Sequence, residues 1–283
     1  MGILHSLRPP FLLLALVTVL LAAALAGDFA WLTFALVLIA ALAAHGAVNA
    51  LNEYADFQSG LDQRTARTPF SGGSGYLPAH PAAARQVLCL GLGLLLLCCL
   101  LGLYLAWQAG PALLWIGLPG VALVAGYTPW ITRNRWLSLV APGVGFGLLM
   151  LCGAERVLGG QYSTAGWLTG LMLALLVNNL LLLNQLPDCE ADRSVGRDNI
   201  PLRYGLAVSR RVYALQLLLA LGCYVLALLQ SSVPMLALLA LPGFALGLHA
   251  WLTVSTNLHA ALRSNVLQTL LVPALMALGI GLG

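Results

Sequence analysis

The sequence predicts an all-α, polytopic membrane protein, one intramembrane domain over 1–283 built from nine transmembrane helices. Three observations carry this expectation. Hydrophobic residues make up 60% of the chain and charged residues 8%, a balance that leaves a large apolar exterior for a bilayer to cover. Apolar runs long enough to cross a hydrocarbon core of about 30 Å recur along the whole length. The basic residues, all thirteen of them Arg, fall on alternate connections between those runs.

The runs can be taken in order. The first, 10–27, follows Arg8 and ends near Ala24-Leu25-Ala26, imitating a signal peptide with its cleavage site. Its polar start is thin and a second apolar run follows directly, so it is read as a retained membrane helix. The second run, 29–51, begins after the Gly27-Asp28 turn. Gly110-Pro111 separates 86–107 from 111–131, and Gly159-Gly160 separates 136–154 from 165–187. Ser231-Ser232 parts 208–229 from 233–254, and 265–283 closes the series. Two longer polar connections remain, 52–85 and 188–207.

Charge tests the helix count independently. With the N-terminus on the cytoplasmic side, Arg8, Arg64, Arg67, Arg85, Arg133, Arg135, Arg193, Arg197, Arg203, Arg210, Arg211 and Arg263 all fall on that side. Only Arg156 falls on the other, and a helix missed in the middle would destroy this alternation. The expected location is therefore a multi-pass protein of a bacterial inner membrane, its N-terminus and polar loops cytoplasmic. No basic run is long enough to form a nucleic-acid surface, so no nucleic-acid partner is expected. Cys89, Cys98, Cys99, Cys152 and Cys223 lie inside apolar runs and read as small buried hydrophobes, with no zinc spacing or disulfide framework.

Seven of the nine carboxylates cluster in the two long connections, as Glu53, Asp56 and Asp62, then Asp188, Glu190, Asp192 and Asp198. A carboxylate beside hydrocarbon is costly, about 2.5 to 3.5 kcal/mol at a helix centre, so the clustering calls for a cation. At about 100° per residue, Asn49, Asn52, Glu53 and Asp56 share one face at the end of helix 2, with Asp62 in the loop beyond Gly60. Asn184, Asp188 and Asp192 share a second stripe, whereas Glu190 points away as a solvated charge. Pro187 weakens the helix there, as expected where a helix end lines a polar cavity. Oxygen ligands without His or Cys suit Mg2+, and His45, His80, His249 and His259 read as structural or interfacial. Arginines follow each stripe, Arg64 and Arg67 after the first, Arg193 and Arg197 after the second. Carboxylates beside guanidinium groups suggest a metal-bridged phosphate, and a diphosphate suits that arrangement. Ser71-Gly72-Gly73-Ser74-Gly75 is either a further source of backbone donors or a flexible loop. Asp56 and Asp192 stand 136 residues apart in equivalent settings, which suggests two related halves facing one cavity.

The stretch Asn49-Ala-Leu-Asn52-Glu53-Tyr54-Ala-Asp56-Phe-Gln-Ser-Gly60-Leu-Asp62, followed by Arg67-Thr-Pro-Phe-Ser-Gly-Gly, resembles the first aspartate-rich motif of the UbiA superfamily of intramembrane prenyltransferases. Asn184-Gln-Leu-Pro-Asp188-Cys-Glu-Ala-Asp192-Arg193-Ser-Val-Gly196-Arg197 resembles the second. The resemblance implies a nine-helix bundle around a central cavity and Mg2+-dependent transfer of an isoprenyl group from a polyprenyl diphosphate to an aromatic acceptor. It implies metal ligands at Asn52, Asp56, Asp188 and Asp192, to which Asp62 and Asn184 are added as candidates, with Asp56, Asp188 and Asp192 catalytic. It implies diphosphate contacts from Arg8, Arg67 and Arg197, and Arg64, Asn49 and Tyr127 complete the candidate substrate-binding set. Two positions depart from the family pattern, Glu53 for Asp and Gly60 for the motif's last Asp, whose place Asp62 takes with the spacing of the dihydroxynaphthoate (menaquinone) branch. Gly126-Tyr127-Thr128-Pro129 is also similar to that branch, although Arg133-Asn134-Arg135 lacks its acidic residue.

The charge logic follows. Metal and Arg neutralise the departing diphosphate, and a nucleophilic ring carbon attacks the electron-deficient prenyl fragment. Tyr54, Tyr127 or Trp130 would stabilise that fragment through a ring face, worth about 0.5 to 2 kcal/mol. The main alternative is a cation-coupled transporter using the two acidic helix ends, which would place its charges nearer the midplane and would not need arginines beside them. A non-catalytic scaffold would not need the stripes to converge, and the Asp-Gly and Ala-Arg motif of CDP-alcohol phosphotransferases is not found.

Overall fold

The computed structural model describes residues 2–65, 67–68 and 71–283; Pro69 and Phe70 of the first motif lie outside the described residues. Among the described residues nine main helices run in chain order: α1 (Pro9–Ala26), α2 (Trp31–Ser59), α3 (Ala84–Ala109), α4 (Leu114–Gly126), α5 (Arg135–Gly159), α6 (Thr164–Asn184), α7 (Ile200–Leu228), α8 (Met235–Thr253) and α9 (Leu258–Leu282). Among the described residues there is no strand. Eight of the nine are long and apolar enough to cross a membrane, and α4, entered through Pro111 and carrying Pro119, is the short one. Backbone groups in lipid must bond within their own segment, which is why these Leu- and Ala-rich runs are helical throughout.

The helix ends are set by polar residues outside the apolar runs. Asn134, Ser163, Asn199 and Asn257 accept backbone N–H bonds at the starts of α5, α6, α7 and α9. As a result α7 begins eight residues before the apolar run at 208, and α9 seven before that at 265. Conversely α6 ends at Asn184 rather than 187, because Pro187 disfavours helix at the residue before it and a turn takes over.

α1 packs against α5 and α9, α2 against α3, α6 against α5, α7 and α9, and α8 against α9, closing a ring of helices. α5 and α6 meet backbone to backbone. A Cβ on Gly143 would lie 2.1 Å from the carbonyl oxygen of Ala174, and one on Gly147 would lie 2.2 Å from that of Gly170. Small residues allow this approach in membranes, where packing rather than water drives helix association. α5 accommodates it with a π-helical stretch, Val144–Leu151, and Asn178 on α6 accepts the Gly143 N–H at 2.9 Å. Gly147→Ala is expected to cost roughly 2 kcal/mol or more, because backbone atoms cannot move aside. Thermal unfolding of the purified protein in detergent checks this, with Gly145→Ala, whose Cβ meets only Leu123 side-chain atoms at 3.6 Å, as the mild control.

The outer surface is apolar, with Leu96, Leu100, Leu103, Leu215 and Leu218 exposed, and tryptophans mark both of its rims. Trp31, Trp107, Trp115 and Trp167 sit at one end of the bundle, Trp130 and Trp136 at the other, as interfacial aromatic belts do. The alternation of the helices places every arginine except Arg156 at the Trp130 end. Arg156 serves the fold at the opposite end, donating to Ala109 O at 2.8 Å and to Gly160 O. The cysteines correct one expectation: all six are free, and only Cys152 is fully buried, Cys89 being exposed and Cys98, Cys99, Cys189 and Cys223 half-buried. Apolar runs here face lipid as often as core, so a thiol in such a run is not thereby interior.

Candidate active site

α2 extends past its apolar run through Ser59, so its last turns carry the first motif on regular helix. His45, Asn49, Asn52 and Asp56 line one cavity from the same helix. Asn52 Nδ2 donates to Asp56 Oδ2 at 2.8 Å, and Asn52 Oδ1 accepts from Thr128 Oγ1 at 3.0 Å, which ties the motif to the Gly126–Pro129 segment after α4. Gly60 stops the helix in a left-handed conformation, φ 73°, its N–H bonding back to the carbonyls of Asp56 and Phe57. One further turn, Leu61–Arg64, then tucks Asp62 under the cavity, 5% exposed. The glycine-rich loop crosses beside it. Gly73 has φ 74°, and a Cβ there would lie 2.7 Å from Asp62 Oδ1, so glycine is required both by conformation and by space.

Glu53 faces away from the cavity and is fully buried. Its carboxylate accepts Ser74 N–H at 2.9 Å and Ser74 Oγ–H at 2.5 Å, and Arg8 Nη2 stands 4.0 Å from it. It therefore anchors the loop and the Arg8 guanidinium, a role that the shared face with Asp56 did not suggest. Arg8 itself lines the cavity from a left-handed backbone position, φ 50°, with Nε buried and unpartnered. Asn49 Nδ2 donates to Leu7 O at 2.9 Å, holding the N-terminal segment against α2.

The second motif arrives by a turn, not by a continuous helical stripe. α6 ends at Asn184, residues 185–188 turn, and a short helix, Cys189–Ser194, packs against Leu61–Arg64. Asn184, Asp188 and Asp192 all line the same cavity, and Glu190 is exposed as expected. Gly196, φ 76°, reverses the chain so that Arg197 returns over the site. Arg197 Nη1 donates to Asp192 Oδ1 at 3.2 Å and Nη2 pairs with Asp56, so one guanidinium bridges the two motifs. Asp192 Oδ2 is satisfied by Asn199 Nδ2 at 2.9 Å. The acidic ends of α2 and α6, 136 residues apart at Asp56 and Asp192, therefore converge.

Two arginines do not join them. Arg64 is exposed at the end of its turn and lines no part of the cavity, and Arg67 is exposed, its guanidinium laid against Gly75. Of the aromatic candidates only Tyr127 lines the cavity. Tyr54 packs on the Tyr76 and Leu77 cluster, and Trp130 is 73% exposed. His80 and His249 serve structure, His80 paired with Tyr76 O at 3.1 Å and His249 with Ser264 Oγ at 2.9 Å, while His45 is part of the cavity wall. Sequence reasoning missed Thr128 and Asn199, whose side chains hold Asn52 and Asp192; the glycine-rich stretch does supply a backbone donor, Ser74 N–H, but to Glu53. Such partners obey no spacing rule, because the chain returns to the site from elsewhere.

Among the described residues no three His, Cys, Asp or Glu groups form a ready-made metal cage. Arg197 stands between Asp56 and Asp192 instead. The donor set nevertheless suits a hard cation: Asp62 Oδ2, Asn184 Oδ1 and Asp188 Oδ1 are buried oxygens without a hydrogen-bond partner. Burial pushes the Asp188 carboxyl up to about 6, with the Asp192 charge adding to it. Burial likewise pushes Asp62 up to about 7, with Glu53 and Asp56 adding. Asp192 is raised by burial and partly held down by Arg197. Carboxylates that retain protons for want of positive charge are the groups a divalent cation would deprotonate and hold.

The cavity is about 640 Å³ and has two characters. Its head holds these carboxylates, amides and guanidinium groups at the arginine-rich end. Its body runs toward the bilayer interior between α2, α3, α4 and α5, past Val37, Ala41, Leu103, Val121, Phe146 and Met150.

Comparison with known proteins agrees with this geometry. The model of the UbiA prenyltransferase family matches residues 12–272. The 1,4-dihydroxy-2-naphthoate octaprenyltransferase of Escherichia coli (strain K12) is 29% identical over 236 residues, 79% of this chain and 75% of that protein. The Bacillus subtilis (strain 168) enzyme of the same name is 29% identical over 203 residues, covering 70% of this chain and 64% of its own. Among solved structures, a UbiA homolog from Aeropyrum pernix K1 superposes with a TM-score of 0.77 at 18% identity, covering 96% of this chain and 97% of that one. A UbiA homolog from Archaeoglobus fulgidus, bound to DMAPP and Mg2+, superposes with a TM-score of 0.72 at 12% identity, covering 99% of both chains. The fold is thus shared well beyond recognisable sequence identity, and with a family match over nearly the whole chain, this protein belongs to the UbiA prenyltransferase family.

Proposed function

We propose that this protein transfers an isoprenyl group from a polyprenyl diphosphate to a ring carbon of an aromatic acceptor of the 1,4-dihydroxy-2-naphthoate kind, with Mg2+ as cofactor. The observation that carries this reading is the two-natured cavity: carboxylates, amides and two arginines at one end, continuous with an apolar body that reaches into the membrane. An isoprenyl diphosphate has the same division, a multiply charged anionic head on a hydrocarbon tail. The names of the two curated relatives supply the acceptor class. Family membership sets aside the cation-coupled transporter as the competing account.

In this reading Asp56, Asp62, Asn184, Asp188 and Asp192 would hold Mg2+, together with Asn52. When bound, Mg2+ supplies positive charge against the diphosphate oxygens, so that they depart as a neutralised group. Arg8 and Arg197 bind the remaining oxygens, Arg197 exchanging carboxylate partners for phosphate ones. The prenyl C–O bond breaks with its electron pair staying on the diphosphate, a new C–C bond forms from the acceptor ring, and the ring loses a proton. Leu, Val and Phe side chains along the cavity body keep water from the electron-deficient prenyl carbon, and Tyr127 stands in the wall near the head. The arginine-rich end is placed in the cytoplasm of a bacterial inner membrane, which gives both water-soluble ends of the substrates access to the site.

The test is direct. Purified protein in detergent is given Mg2+, geranylgeranyl or a longer prenyl diphosphate, and a panel of aromatic acids, and products are identified by mass. A prenylated naphthoate-type product that vanishes with chelator is expected. No prenylated product from any aromatic acid would overturn the reading.

A further inference from the structure

His45 is a polar group of the cavity wall that has no hydrogen-bond partner among the described residues. It lies on α2 in the row that continues through Asn49, Asn52 and Asp56, is 7% exposed, and keeps Nδ1 buried without a hydrogen bond. Its ring packs edge-on against Phe146, centroids 4.7 Å apart, which fixes the imidazole plane without satisfying Nδ1. Three other polar side chains of the cavity wall are already occupied. Gln185 donates to Ser138 at 2.9 Å, Thr269 to Asn265 O at 2.9 Å, and Thr132 to Thr128 O at 2.8 Å. A nine-tenths buried imidazole on a cavity wall, with no hydrogen bond of its own, is a group prepared for a ligand.

Depth decides which ligand. At 1.5 Å per residue, His45 lies about 10 Å below Asn52 and about 16 Å below Asp56 toward the bilayer interior. A diphosphate held by the carboxylates is shorter than that, so His45 stands beyond it, at the level of the first prenyl carbons and of whatever attacks them. A hydrocarbon tail has no use for an imidazole. A ring hydroxyl has, because neutral imidazole offers one donor and one acceptor.

We propose that His45 is the acceptor subsite: its imidazole accepts a hydrogen bond from a ring hydroxyl of the aromatic acceptor and holds that ring against the prenyl carbon. This rests on the prenyltransferase reading above and adds the residue that recognises the second substrate.

The test is equilibrium binding. Wild type, His45→Leu and His45→Gln, each in detergent with Mg2+ and a non-reactive prenyl thiolodiphosphate, are titrated with 1,4-dihydroxy-2-naphthoate and with each of its monomethyl ethers. Wild type should bind one of the ethers at least about tenfold more weakly than the parent acid. His45→Leu should bind the parent about tenfold more weakly than wild type does and no longer distinguish that ether, and His45→Gln should recover most of the loss. Affinity for the prenyl analogue should be the same in all three. The subsite is overturned if His45→Leu still discriminates hydroxyl from methoxyl as wild type does, if wild type never discriminates, or if the prenyl analogue loses affinity in parallel. Should His45→Leu fail to fold, His45→Ala takes its place, and discrimination by His45→Ala equal to that of wild type overturns the subsite too. If wild type binds no aromatic acid at all, the acceptor assignment fails first; if it binds and discrimination survives in the apolar variant, only the subsite fails.

Discussion

Asp188→Asn is expected to lower prenyl transfer by on the order of a thousandfold. The bundle should remain intact, with the thermal midpoint held within about 3 °C. The separation of the two effects follows from the environments. Asp188 keeps one oxygen buried without a partner, and burial raises its carboxyl to about 6, so its charge contributes nothing favourable to the fold. Asn keeps the shape and removes the charge. What disappears is an anionic oxygen for the cation that must offset the departing diphosphate, and an amide cannot replace it. Steady-state transfer assays with thermal unfolding of the same preparations check both parts, and full transfer by Asp188→Asn refutes its assignment.

Arg197→Leu has the opposite profile, damaging fold and activity together. The guanidinium bridges Asp56 on α2 and Asp192 in the short helix after α6, with the Arg197 side chain only 18% exposed. Removing it leaves two carboxylates facing each other without counter-charge, and breaking such a pair costs about 3 kcal/mol, the low end of the usual range because some solvent reaches the site. Adding Asp56→Asn to Arg197→Leu should recover much of that stability, since the repulsion disappears with the charge. Activity should not return in the double variant. Denaturation midpoints of the two singles and the double decide this, and simple additivity would contradict the bridge.

Much of the architecture was legible because a membrane helix advertises itself by composition. The apolar runs located the eight helices long enough to cross a membrane and the shorter α4, and the arginine alternation fixed which ends lie together. The boundaries were less legible, for a physical reason. α7 carries Arg203, Arg210 and Arg211 and still runs from Ile200 to Leu228, because helix continues beyond hydrocarbon into polar surroundings where hydropathy gives no signal. The convergence of Asp56 with Asp192 could be inferred from two acidic ends on one side of the membrane. The fate of each arginine could not. Arg197 enters the site because Gly196 reverses the chain, while Arg64 is left exposed and Arg67 lies against Gly75 without lining the cavity. The contrast between Glu53 and Asp56 lies in the partner that approaches α2 from each side: Ser74 of the glycine-rich loop on one, the second motif on the other.

The central claim, that the ends of α2 and α6 hold one cation site, is tested most directly by Mn2+ binding followed by electron paramagnetic resonance in the presence of a prenyl thiolodiphosphate. Asp56→Asn and Asp188→Asn come from opposite halves of the chain, and each alone should abolish the bound signal. Undiminished Mn2+ binding in either variant would contradict the account.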